Sequence, residues 1–212
     1  MTKYKKQIPI EERERIELKK QIESYKNSLK IAKEIGDTKG ESNCYTNLGI
    51  AYRSLGNFKK AIEYHKNSLK IKKEIGDTKG ESACYTNLGV AYRSLGDSRK
   101  AIEFHENSLK IKKKIRDKAG ESVCYGNLGV AYYSLGDFKK AIEFNLKAEK
   151  IFEELGQINY LKLVYENTAK AYNKMDDFEN AEKYKIKAED LSELLKNPLL
   201  EILSMGPHNL KL

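Results

Sequence analysis

Tryptophan is absent from this 212-residue sequence, and proline, methionine, histidine and cysteine occur only three times each. Three prolines in a chain that is 40% hydrophobic is not the composition of a disordered segment. No run of eighteen apolar residues occurs, so no helical membrane span is expected. The opening MTKYKKQIPIEERER turns charged before any apolar core develops and does not read as a secretory signal. Signatures of catalysis are missing as well. There is no Gly-rich phosphate loop, no Cys-x-x-Cys, no His-Glu-x-x-His and no Gly-x-Ser-x-Gly. The expectation is a chain without catalysis and without a cofactor.

The three cysteines, Cys44, Cys84 and Cys124, stand forty residues apart. If equal units stack, their thiols lie roughly 10 Å apart. A disulfide needs Cα atoms within about 7 Å, and zinc needs converging ligands. Three packed, unpaired thiols are expected, as suits a reducing, cytoplasmic compartment.

What the sequence does contain is one phrase written four times. YTNLGIAYRSLG starts at Tyr45 and YTNLGVAYRSLG at Tyr85. YGNLGVAYYSLG follows at Tyr125, and a worn copy, YENTAKAYNKMD, at Tyr165. Residues 41–80 and 81–120 agree at 29 of 40 positions without a gap, and a period of that length signals a stacked array.

Each unit reads as two helices. Asp37 follows the helix-stopping Gly36 and caps the next N-terminus. Cys44, Tyr45, Leu48, Ala51, Tyr52 and Leu55 then recur at three- and four-residue steps. Gly56 ends that helix and Asn57 caps a second, whose inner face is Phe58, Ala61, Ile62, His65, Leu69 and Ile71 or Ile75. Gly49, repeated as Gly89 and Gly129, costs about 1 kcal/mol relative to alanine inside a helix. A neighbouring helix is therefore expected to come too close there for a side chain. The short link forces antiparallel packing. The predicted fold is all-α, a solenoid of antiparallel helix pairs whose concave face, lined by the first helices, is the expected binding surface.

These residues also carry a resemblance. Tyr85, Asn87, Leu88, Gly89, Tyr92, Gly96 and Ala101 are similar to the pattern of the tetratricopeptide repeat. The forty-residue length resembles the repeats of spindle-orientation adaptors such as Pins and LGN and, more loosely, of kinesin light chains. The resemblance implies a right-handed superhelix that binds peptides without catalysis. It covers residues 41–80, 81–120 and 121–160 well, with 161–194 a degenerate copy in which Asp176 replaces the turn glycine. Residues 1–40 supply a half-repeat, since Pro9 sits where the internal glycine of a first helix belongs. Residues 11–35 read as one long charged helix over the N-terminal end. Residues 195–212, with PLLEILSMGP, read as a C-terminal cap or tail. A monomer is expected, with a homodimer through the N-terminal helix as the alternative.

Asn47, Asn87, Asn127 and Asn167 recur one residue before the Leu-Gly position. Asparagine is a poor residue inside a helix because its amide competes for backbone groups. An amide also matches one peptide group of an extended partner, donor to acceptor and acceptor to donor. The resemblance implies ligand contact at the same position. The alternative is that each amide bonds within its own or the adjacent repeat. Arg53 and Arg93 follow six residues on, with Tyr133 and Asn173 in the equivalent later places and Ser54, Ser94 and Ser134 beside them. Guanidinium groups pair bidentately with carboxylates, so an acidic or phosphorylated peptide is the matching partner.

The formal charge of +9 is uneven: residues 1–40, 41–80 and 81–120 carry about +4 each, and the remainder is weakly acidic. Lys66, Lys70, Lys72, Lys73, Lys110, Lys112, Lys113 and Lys114 are expected on an outward, solvated face of the second helices. Binding of nucleic acid or an anionic surface through these lysines is the rival reading. A purely structural, self-associating repeat unit is the third. His65 and His105 are expected as packed, hydrogen-bonded imidazoles, because one ligand per repeat does not gather a metal site.

Overall fold

The computed structural model describes residues 9–196, and all regular structure among them is helical. The helices are α1 (Ile10–Glu34), α2 (Thr38–Ser54), α3 (Phe58–Glu74), α4 (Thr78–Ser94) and α5 (Ser98–Lys114), followed by α6 (Lys118–Leu135), α7 (Phe138–Glu154), α8 (Ile158–Asn173) and α9 (Phe178–Lys196). The fold is an all-helical solenoid of paired antiparallel helices. α1 matches the long charged helix expected near the N-terminus. The PLLEILSMGP segment lies outside the described residues.

Helix ends are set by short-range chemistry. Oδ1 of Asp37, Asp77 and Asp117 accepts from the backbone N–H of Gly40, Gly80 and Gly120 at 2.8 Å. Asn57, Asp97 and Asp137 cap the second helices in the same way through Lys60, Lys100 and Lys140. At the other end the Asn57 N–H donates to Tyr52 O while the Gly56 N–H donates to Arg53 O. That paired closure requires a left-handed residue at Gly56, whose φ is 77°. Asp176 holds the same conformation (φ 58°) where the degenerate copy has lost its glycine, and Arg116 does so (φ 57°) at the turn before α6. Each costs on the order of 1 kcal/mol, which the flanking helices must offset.

The chain divides into two compact units, residues 1–108 and 109–212. In the first, α1 packs on α2, α2 on α3 and α3 on α4. Leu48, Ala61, Leu88, Ala91 and Ala101 are fully buried there. Each buried leucine contributes roughly 2 kcal/mol of hydrophobic stabilisation.

The core of this unit also carries a repeated polar thread. Ser68 Oγ donates to Ser42 O at 2.9 Å and lies 2.7 Å from Thr46 Oγ1, and the Cys84 thiol donates to Ser68. Forty residues on, Ser108 meets Ser82 O and Thr86 identically. Ser68 thus occupies the inner face, whereas Leu69 is half-buried and Ile75 is exposed.

In the second unit α6 packs on α7, α7 on α8 and α8 on α9. Its core joins Ala148, Phe152, Leu161, Val164 and Tyr165 to Tyr184 and Ala188. The places equivalent to Thr86 and Ser108 are Gly126 and Ala148, so both hydroxyls of the thread have been lost together. A charged cluster takes over the binding of one pair to the next. Glu149, 8% exposed, accepts from Tyr184 Oη at 3.1 Å and Lys187 Nζ at 2.8 Å, and Lys187 lies over the Tyr165 and Tyr184 rings. Burial, with Glu153 accepting from Tyr165 and Glu149 from Tyr184, pushes both phenols well above their ordinary range.

Candidate peptide-binding site

The first helices present the recurring amides. In the first unit Asn47 of α2 is exposed and Asn87 of α4 is half-buried; in the second, Asn127 of α6 and Asn167 of α8 are half-buried. Each precedes a residue that faces the core: Leu48, Leu88, Leu128 or Thr168, all at 0% exposure. The helical turn of about 100° per residue rotates the amide away from that core. Among the described residues, none of the four amides hydrogen-bonds to another protein group.

Arg53 and Arg93 stand in the last turns of α2 and α4 and are half-buried. Neither forms an ion pair among the described residues. Tyr133, in the equivalent place on α6, is tied to the start of α7 by a tilted ring contact with Phe138 at 5.3 Å. The structure therefore gathers Asn47, Arg53, Asn87 and Arg93 on two touching helices, α2 and α4. Asn127, Tyr133 and Asn167 belong to the other unit.

Behind these helices lie the histidines. His65 and His105 are 0% and 1% exposed, and a Cβ at Gly49 or Gly89 would fall within 2.7 Å of the ring nitrogens of the respective imidazole. The close approach expected at these glycines is thus made by a side chain of the paired helix. In the third pair Asn145 takes the same place against Gly129. The expectation of hydrogen-bonded imidazoles is corrected. Among the described residues, Nδ1 and Nε2 of both rings, and Oδ1 of Asn145, have no partner. Burial, reinforced by Arg53 and Arg93, lowers both imidazoles to about 4, so they are neutral at pH 7. Sealed from solvent, they offer no catalytic base. Among the described residues no three His, Cys, Asp or Glu side chains gather as for a metal ion, and no helix is long and apolar enough to cross a membrane. Cys44, Cys84 and Cys124 are free thiols.

The outward lysine face also needs correcting. Lys72 is 6% exposed, with Nζ donating to Asn43 Oδ1 at 2.9 Å and pairing with Asp77 at 2.9 Å. Lys112 pairs with Asp117 at 2.7 Å. These two stems reach back to the cap of the following helix, which a helical wheel drawn on one helix does not reveal. Lys66, Lys70, Lys73, Lys110, Lys113 and Lys114 are exposed. Lys73 and Lys113 nevertheless lie 5.2 and 5.5 Å from the ring centres of Tyr85 and Tyr125. A matching set, Lys60, Lys100 and Lys140, lies over Tyr52, Tyr92 and Tyr132. The sequence signal for both sets was the recurrence of lysine and tyrosine together at the forty-residue period.

The model of the tetratricopeptide repeat matches residues 22–74, 61–114 and 80–154, and the chain belongs to that family. Its fold is typical of non-catalytic, protein-binding scaffolds and adaptors. A search of curated proteins gave no significant match. Among solved structures, the fold is similar to BtubC (BKLC) from P. vanneervenii, at 21% identity and TM-score 0.69 over 85% of this chain and 92% of that one. It is similar to the putative kinesin light chain repeats of Podosopora anserina, at 16% identity and TM-score 0.73 over 86% and 90%. A Rap protein, solved in complex with competence and sporulation factor, is similar at 16% identity and TM-score 0.74, over 89% of this chain and 53% of that one.

Proposed function

We propose that the chain is a non-catalytic adaptor that holds an extended, acidic peptide on the exposed sides of its first helices. The observation that carries this reading is the set of side chains without protein partners among the described residues: four amides at one repeated position, and two half-buried guanidinium groups six residues after the first two. Asn47, Asn87, Arg53 and Arg93 serve the first unit; Asn127, Asn167 and Tyr133 serve the second. The amides hold peptide backbone and are indifferent to side chains, while the arginines select carboxylates. The forty-residue repeat it shares with the spindle-orientation adaptors it resembles supports the adaptor role. So does the Rap neighbour, solved with competence and sporulation factor. The rival reading, phosphate binding through the outer lysines, is weakened because Lys72 and Lys112 are held in ion pairs.

The test is an array of acidic and neutral peptides probed with the whole chain, followed by affinities for the best binders. Losing one arginine is expected to weaken acidic peptides by about 2 kcal/mol if the contact is desolvated and bidentate. The Asn87→Ala and Asn127→Ala variant weakens all binders alike. Nucleic-acid binding that collapses by orders of magnitude with moderate salt, alongside a silent array, would replace this reading.

A further inference from the structure

We infer that the first unit reads its peptide at one polyproline-II turn per helix pair, so that Arg53 and Arg93 take carboxylates at positions i and i+3. This rests on the peptide-binding reading above and specifies the partner. The two arginines are the same residue of successive copies, on helices α2 and α4 that touch each other. Asn47 and Asn87 are displaced by the same step. Equivalent positions on helices in contact lie about 10 Å apart, the period with which such a surface would offer an amide and a guanidinium.

A bound chain meets this period only if its own side chains return to one direction at about the same interval. A β-strand returns every second residue, about 6.7 Å, and its next return comes at roughly 13 Å. Polyproline II has three residues per turn and rises about 3.1 Å per residue, a return of about 9 Å. That conformation also forms no internal hydrogen bonds, so each turn offers a free peptide group. An asparagine amide can take the N–H and the C=O of such a chain without regard to side chains. The remaining choice is chemical. Both guanidinium groups are half-buried. Among the described residues they have no carboxylate of their own, and a partly dry, unpaired cation favours an anionic visitor.

The experiment uses the full chain and fluorescein-labelled nonapeptides of alanine and proline bearing two glutamates. The spacings are i,i+2, i,i+3 and i,i+4 at constant charge, with a two-glutamine control. Fluorescence anisotropy at 0.15 M salt gives the affinities. The i,i+3 peptide is expected to bind at least tenfold more tightly than the other spacings, and to keep that affinity with proline at both intervening positions. Arg93→Ala, with its helicity checked by circular dichroism, removes the preference among spacings. Equal affinity for all three spacings, each well above the glutamine control, would overturn the polyproline-II register and leave the acidic-peptide reading standing. Glutamine binding as well as glutamate, or no peptide binding at all, would overturn that reading and this inference with it.

Discussion

The His65 imidazole fills the space that a side chain on Gly49 would need: a Cβ there would lie 2.5 Å from Nδ1 and 2.7 Å from Nε2. The glycine and the ring are one device, split between α2 and α3. Gly49→Ala is therefore expected to destabilise, although alanine is the better helix former by about 1 kcal/mol. Overpacking costs about 2 kcal/mol net and lowers the Tm by roughly 5 °C. Adding His65→Ala should recover most of the loss. Thermal unfolding of the single and double variants checks this, and a single variant as stable as the wild type would refute the steric account.

The same two histidines make stability fall in acid. Burial first, and then Arg53 or Arg93, holds each imidazole at about 4 against an ordinary 6.5. Above pH 6.5 neither form of the chain binds the proton, so there is no effect. As pH falls from 6.5 towards 4 the unfolded chain takes the proton and the folded chain refuses it. The loss approaches about 3 kcal/mol per histidine. Asn145 sits against Gly129 as each histidine sits against its glycine. A His65→Asn, His105→Asn variant should thus fold and gain on the wild type as pH drops. Urea midpoints at pH 7, 5 and 4 measure it; a gap independent of pH would exclude the imidazoles.

Lys72 should matter more than any exposed lysine. Its ammonium joins Asn43 on α2 to Asp77, which caps α4, from a position 6% exposed. The cap and the ammonium together hold the Asp77 carboxyl below its usual range. Lys72→Ala is expected to cost about 1–2 kcal/mol, between an exposed and a buried pair, because Asp77 is part-exposed and keeps its bond from Gly80 N–H. Lys66→Ala should change stability by less than about 0.5 kcal/mol. Denaturant midpoints for the two variants side by side decide the matter.

Cysteine labelling should separate the half-buried thiol of Cys44 from the two buried ones. Cys84 is 1% exposed, and burial raises its thiol. Cys124 is equally buried, and Cys44 is only half so. Mass spectrometry after brief alkylation of the native chain should find Cys44 modified, with Cys84 and Cys124 protected until urea unfolds the protein. Equal labelling of all three would mean that the helix pairs open readily.

Much of this fold was legible because the governing interactions are local. Gly56, Asn57 and Asp37 act within one turn, and the run Leu48, Ala51, Tyr52 gives the buried stripe directly. Depth and partnership were not legible. Ser68 reads as polar, yet it is buried because Ser42 O and Thr46 receive it from another helix. Lys72 reads as solvated for the same reason in reverse, since Asp77 belongs to the next helix pair. The recurrence of Asn47 and Asn87, and the poor fit of asparagine inside a helix, are legible in the sequence; that neither amide bonds to another of the described residues is not. The imidazoles were misjudged because a histidine in a core ordinarily finds a hydrogen bond, and these fill a glycine's hollow instead.

The hydroxyl pairs Thr46–Ser68 and Thr86–Ser108 are interchangeable, and so are Gly49–His65 and Gly89–His105. That equivalence has a hereditary consequence. A misaligned crossover in the coding DNA that removes residues 46–85 joins Tyr45 to Thr86. Ser108 then takes the place of Ser68 against Ser42 O, and Lys112 takes the place of Lys72. Adding a copy is equally seamless. The copies from 121 onward, where Gly126 and Ala148 replace the hydroxyl pair and Phe152 stands where Lys112 did, fit no such exchange. Chain length can therefore drift by whole helix pairs in the first half of the protein, while the second half fixes where the array changes character.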